Sequence, residues 1–214
     1  MDNNQFYSNR KIMSYPRNKY IYRLIIGSRG KGKTYSFSTL LANFYQKVKH
    51  IPESDDNIDD MFVYYRLKRQ QTLNMGDEIL KPEVQKKHNI NVEVIGNKIY
   101  FNGRHMGLLL ALQDAPSHKG TNWNFRRFRF GILDEFQLER RERRTFDVVY
   151  NFRSSLESVF RFTTRIELGM DFPTILLAGN TVDDATDLLF AFDFLPYKYG
   201  LYLLKSKRAI IEYL

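Results

Sequence analysis

The 214-residue sequence predicts an α/β fold built on a mostly parallel sheet. Three observations predict it. Short apolar runs rich in β-branched and aromatic residues alternate with helix-like amphipathic runs, the pattern that makes parallel sheets. A glycine-rich turn, Gly27-Ser28-Arg29-Gly30-Lys31-Gly32-Lys33-Thr34, joins the first apolar run to the first helical run. A later apolar run, residues 128–133, ends in the acidic pair Asp134-Glu135.

The elements follow in chain order. Residues 20–26 (Tyr20-Ile21-Tyr22-Arg23-Leu24-Ile25-Ile26) form the first strand. Residues 34–49 form a helix with Phe37, Leu40, Leu41, Phe44, Tyr45 and Val48 at helical spacing. The acidic stretch 52–60 is a loop, and 61–65 is a second strand that ends in the basic cluster Arg66, Lys68, Arg69. One helix is expected over 77–88, with Pro82 against it. The runs 92–95, 98–101 and 106–112 are separated by Gly96-Asn97 and Asn102-Gly103, and they read as an antiparallel meander on the sheet's edge. A strand over 128–133, a helix over 146–160, a buried strand over 173–179 and a short helix over 186–195 come next. Residues 199–204 and 209–214 are the final strands, the last expected at an edge.

The glycine-rich turn matches G-x-x-x-x-G-K-[ST], the P-loop, in the strand–turn–helix context that it requires. Glycines let backbone N–H groups turn toward phosphate oxygens without a Cβ in the way. The following helix N-terminus adds partial positive charge. Gly27 to Thr34 are therefore the nucleotide-binding residues: Lys33 reaches the β- and γ-phosphates, and the Thr34 hydroxyl ligates Mg²⁺. Asp134, about a hundred residues on, fits a Walker B aspartate that holds the metal opposite Thr34, with Glu135 as the base for the attacking water. Asn180, at the tip of the strand over 173–179, is a candidate sensor of the γ-phosphate. A second cation at the transferred phosphate is expected from Arg153, Arg161 or Arg165.

Composition bounds the rest. Hydrophobic residues make up 43% and mean hydropathy is −0.46, as in a globular chain. No apolar run is long enough for a membrane span, and the first five residues are polar and lack the apolar stretch of a signal peptide. The absence of cysteine removes thiolate catalysis, disulfides and zinc–cysteine sites, and suits a reducing cytoplasm. The four histidines have no metal-ligand spacing. The net charge of +9 points to a polyanionic partner, and 66–69, 125–129, 139–144 and 205–208 are the basic stretches that would meet a phosphate backbone. Lys119, in the loop before the strand over 128–133, faces DNA or a neighbour's nucleotide on this reading.

With these residues in view, the chain resembles the DNA-packaging ATPases of small short-tailed phages that also use a prohead RNA, a terminase-like family. The likeness is carried by the segment from Phe6-Tyr7 to Ser14-Tyr15, the P-loop, Tyr64-Tyr65-Arg66, Ser117-His118-Lys119-Gly120, Ile132-Leu133-Asp134-Glu135 and Val159-Phe160-Arg161. It implies an additional-strand P-loop ATPase core with helices on both sheet faces, filling 1–214 as one ATPase domain. That family carries a ribonuclease H-like C-terminal domain, which is expected to be absent from this sequence, either because it is an excised ATPase domain or because the chain is naturally short. It implies a homo-oligomeric ring, a pentamer in that family, at the portal vertex of a procapsid. The ring would drive double-stranded DNA inward with ATP and Mg²⁺, in the host cytoplasm and outside any membrane. Arg161 then matches a trans-acting arginine finger, Lys119 a second trans residue, and Arg66 and Arg69 basic positions after the second strand. The alternative is another P-loop DNA-dependent ATPase, helicase-like or a plasmid-transfer translocase. The Asp134-Glu135 pair argues against a nucleotide switch or a small-molecule kinase.

Overall fold

A computed structural model of the chain describes residues 7–73, 75–137, 145–180, 186–195 and 198–214. Phe6 and the basic stretch 139–144 lie outside the described residues. In chain order the elements are α1 (Arg10–Met13), β1 (Tyr22–Ile26), α2 (Lys33–Val48), β2 (Met61–Arg66), α3 (Gly76–Ile79), α4 (Pro82–His88), β3 (Val92–Ile95), β4 (Lys98–Phe101) and β5 (Arg104–Ala111). These are followed by α5 (Ala115–His118), β6 (Phe128–Asp134), α6 (Val148–Phe160), α7 (Phe162–Glu167), β7 (Thr174–Gly179), α8 (Asp187–Ala191), β8 (Gly200–Leu204) and β9 (Ala209–Tyr213).

Among the described residues, nine strands form one sheet in the order β3-β4-β5-β2-β6-β7-β1-β9-β8. The run from β5 to β9 is parallel throughout. The edges are antiparallel, with β3 and β4 on one side and β8 on the other. β7 lies between β6 and the P-loop strand β1, which is the additional-strand order. Helices on both faces follow from the period of two. Leu24, Ile26, Val63 and Tyr65 point to one core with Phe152, Leu156, Val159 and Phe160 of α6. Ile25, Phe62 and Tyr64 point to the other core with Phe37, Leu41 and Phe44 of α2. Each such side chain contributes about 1.5–3 kcal/mol when fully buried.

The structure corrects three sequence expectations. The helix over 77–88 is two helices, α3 and α4, because Pro82 excludes Lys81 from the α region and sets it extended at φ −60°, ψ 142°. The last strand is not an edge: β9 pairs with β1 on one side and β8 on the other, and β8 holds the edge. The helix over 186–195 contracts to Asp187–Ala191, capped by the Thr186 hydroxyl, which accepts from the Leu189 amide. Strand partners are chosen across the fold, so a local pattern finds β9 without showing its neighbours.

Close approach explains two glycines of the sheet. A Cβ on Gly107 would stand 2.3 Å from the Phe62 carbonyl oxygen in the neighbouring strand. A Cβ on Gly179 would stand 2.5 Å from the Phe136 ring, which packs over the tip of β7.

Candidate nucleotide site

β1 ends at Ile26, and residues 27–32 turn the chain into α2. Gly30 and Gly32 take φ values of 79° and 84°, a left-handed conformation open to glycine and strained for other residues. Lys33 begins α2, and its ammonium donates to the carbonyls of Gly27 (2.7 Å) and Ser28 (2.9 Å) beneath the turn. Burial pulls the Lys33 pKa down while Asp134 and Glu135 oppose the shift. The loop is clasped from outside by the Tyr7 amide, which donates to the Lys31 carbonyl (3.0 Å). The Tyr7 hydroxyl donates to Glu212 of β9 at 2.6 Å, and burial and this contact push the Tyr7 pKa up.

β6 brings the acidic pair to the same cleft. The Thr34 hydroxyl donates to Asp134 Oδ2 at 2.9 Å across 100 residues of sequence. The Tyr64 hydroxyl of β2 donates to the same oxygen at 3.2 Å. Burial raises the Asp134 pKa against these hydrogen bonds and the Arg66 charge. A buried carboxylate beside a hydroxyl is an all-oxygen donor pair, which fits Mg²⁺ completed by phosphate and water oxygens. Among the described residues no three His, Cys, Asp or Glu converge, so an all-protein metal cage is not formed there.

Glu135 follows at φ 56°, a left-handed angle that turns its side chain away from the line of β6. Its carboxylate pairs with Arg66 Nη2 at 2.9 Å. Asn180 also lines the cleft, and its amide donates to the Gln137 side chain, which ties the β7 tip to the segment after β6. The cleft measures about 530 Å³, within the size range of small-molecule sites. Arg29, Gly30, Gly32, Lys33, Thr34, Asp134, Glu135 and Asn180 all line it. Ser28 and Lys31 belong to the same turn and are exposed.

The remaining candidates scatter. Arg161 caps α6 at φ 48° and lies over the Phe125 ring at 5.8 Å. Phe125 precedes the start of β6, whereas Asp134 ends it. Seven strand residues put Arg161 about 20 Å from its own chain's acidic pair. Arg165 is fully buried and donates to the carbonyls of Phe160, Asp171, Phe125 and Phe128. It is a structural cation, held by these carbonyls rather than presented as a second cation at a phosphate. Arg66 is a cleft residue through its Glu135 pair. Arg69 pairs with Asp114 (2.9 Å), and exposed Lys119 donates to the Tyr150 hydroxyl (3.1 Å). Arg153 is exposed on α6.

The basic stretches also divide. Arg127 and Arg129 of the stretch 125–129 are held by Asp60 and Asp59 at the sheet's opposite end from the P-loop. Lys207 pairs with Asp193, and Arg208 lies over the Phe172 ring. Arg66 ends β2, Lys68 and Arg69 follow it, and Lys119 follows β5 and α5, which puts all four toward the C-terminal end of the sheet, the end that holds the cleft. The sequence reading missed Tyr64, the Arg66–Glu135 pair, the Tyr7–Glu212 clasp, and Lys81 and Glu83, which also line the cleft.

No helix among the described residues is long and apolar enough to cross a membrane. No family model matches the chain, and no curated protein matches it in sequence. Solved structures match its fold. The N-terminal domain of the DNA packaging ATPase from bacteriophage phi29 superposes with a TM-score of 0.72 at 20% identity, over 98% of this chain and 96% of that one. The Phi-28 gp11 DNA packaging motor gives a TM-score of 0.72 at 15% identity, over 99% of this chain and 60% of that one. The bacteriophage Phi-29 packaging motor assembly gives 0.71 at 20%, over 97% and 57%. The chain thus spans under two thirds of each motor chain. It has the fold of these packaging ATPase domains, a mostly parallel nine-stranded sheet with helices on both faces.

Proposed function

We propose that the chain is the ATP-hydrolysing domain of a motor that packages double-stranded viral DNA. The observation that carries this reading is the 2.9 Å contact between Thr34 of the P-loop and Asp134 of β6. On this reading that contact brings together the two halves of a phosphoryl-transfer site. The likeness to packaging ATPase domains across nearly the whole chain supports the choice of motor among P-loop ATPases.

On this reading the P-loop amides and the Lys33 ammonium bind the triphosphate. Thr34 and Asp134 would hold Mg²⁺, which supplies charge neutralisation at the β- and γ-phosphates. Glu135 orients a water and takes its proton as the water oxygen bonds to the γ-phosphorus. The bond from that phosphorus to the β–γ bridging oxygen breaks, giving ADP and phosphate. Arg161 lies too far from its own cleft to act there, so its proposed role is across an interface in a homo-oligomeric ring, pentameric on the resemblance. Lys119 and Arg69 are proposed to face DNA or the neighbour. Docking to a procapsid vertex and prohead RNA belongs to the same proposal.

The test is phosphate release with Mg²⁺ and ATP, compared across duplex DNA, single-stranded DNA and no DNA. Release stimulated most by duplex DNA is expected. Release stimulated mainly by single strands would favour a helicase-like ATPase, and no release would remove the reading.

A further inference from the structure

We propose that Lys81 is a second phosphate-binding cation supplied by the same chain, and that it recognises the γ-phosphate. The inference rests on the ATP reading and deepens it. Lys81 lines the cleft together with Lys33, Thr34, Asp134 and Glu135, although it comes from a different part of the chain.

Its placement follows from two local features. Pro82 opens α4 and bars Lys81 from the helix, so the residue stands extended at the break between α3 and α4. Ser38 then fixes that break to the P-loop helix: its Oγ accepts from the Lys81 amide at 3.2 Å and lies 3.2 Å from the Ile79 carbonyl. Ser38 is four residues after Thr34, so both occupy one face of α2. That is the face whose Thr34 hydroxyl meets Asp134. Segment 79–81 is therefore anchored on the Asp134 side of the cleft. On the ATP reading, Thr34 and Asp134 would hold Mg²⁺ there, which would supply charge neutralisation at the β- and γ-phosphates.

The Lys81 ammonium pairs with Glu78 Oε2 at 2.9 Å, and the Glu78 side chain is half exposed. An exposed pair three residues apart is weak, worth about 0–1 kcal/mol. A triphosphate oxygen is a stronger partner, since hydrogen bonds between two ionised groups are the short, strong ones. A lysine on a flexible four-carbon stem makes that exchange by rotamer change alone. Glu83, at the same lip, adds negative charge that disfavours an unshielded phosphate and sharpens the need for a cation there.

The experiment measures affinity, not turnover. A fluorescent non-hydrolysable ATP analogue and fluorescent ADP are titrated with Mg²⁺ into the wild-type chain, Lys81→Ala, Lys81→Arg, Glu78→Gln and Lys33→Ala. Lys81→Ala is expected to weaken the triphosphate about tenfold and ADP less than about twofold. Lys81→Arg should recover most of the loss, and Glu78→Gln should tighten the triphosphate. Equal affinities for Lys81→Ala and wild type would overturn the proposal, as would equal loss of both nucleotides. A wild-type chain that binds neither nucleotide would overturn the ATP reading itself. Wild-type binding abolished by Lys33→Ala keeps that reading whatever Lys81 does.

Discussion

Arg66, the last residue of β2, holds the Glu135 carboxylate at 2.9 Å. The two strands bring them together through parallel pairing in which Tyr65 lies opposite Leu133. While the pair is made, the guanidinium occupies a Glu135 carboxylate oxygen and holds the side chain toward β2, so that oxygen is not free to accept from a water. The Glu135 side chain is about half exposed, so the restraint is weak enough to be exchanged during a cycle. Arg66→Ala is expected to raise DNA-free ATP turnover about two- to fivefold and to shrink the stimulation by DNA. Steady-state phosphate release checks this. A fall in turnover with and without DNA would make Arg66 a positioning group instead.

Glu135→Gln keeps the shape of the side chain and removes the proposed base. Nucleotide affinity should stay within about twofold of wild type, and turnover should fall about 10²–10⁴-fold. Single-turnover release and equilibrium binding on one preparation measure both. Retained hydrolysis would move the base to another residue.

Arg161 and Glu135 lie at opposite ends of β6 within one chain. Arg161→Ala and Glu135→Gln should each be nearly inactive alone. Mixed, they should recover activity, because some interfaces then pair an intact Glu135 with a neighbour's intact Arg161. The arginine's worth in such sites is about 10³–10⁵ in rate. No recovery in mixed oligomers of verified size would count against a trans role.

Asp60, buried before β2, accepts from Arg127 through both carboxylate oxygens (2.8 Å each) and from Arg104 (3.2 Å). Burial alone would raise its pKa, but the Arg127 and Asn57 hydrogen bonds and the two arginine charges outweigh it and leave the pKa below 3.8. Its stabilisation is therefore complete above the unfolded-state pKa and lost as pH falls through the depressed folded value. Asp60→Asn leaves buried guanidinium charge uncompensated and is expected to cost about 3 kcal/mol at neutral pH. Thermal melts should show the gap from wild type narrowing below about pH 4. A gap unchanged at low pH would assign the loss to packing. Nucleotide binding should be unaffected, because Asp60 lies at the other end of the sheet.

The P-loop was legible because its demands are local: positive φ at Gly30 and Gly32, a lysine and a threonine at a helix start. Asp134 was legible as the acid ending an apolar strand. The partners of those residues were not. Tyr64 reads as one more aromatic in a β run, and only the β2–β6 pairing aims its hydroxyl at Asp134. Arg66 read as one of a basic cluster, since nothing local shows that Glu135 sits beside it. The penalty of Pro82 was visible, but the consequence, Lys81 held against α2 by Ser38, depends on a contact 43 residues away. Arg165 failed in the opposite sense. Its exposed-looking context in a helix hid four backbone carbonyls that only the folded chain gathers around it.

ATP turnover per chain, measured against protein concentration with and without duplex DNA, tests the central claim most directly. The account predicts turnover that rises steeply with concentration, as sites are completed by a neighbour's Arg161, and that rises further with duplex DNA. Turnover that is constant per chain and indifferent to DNA would contradict it.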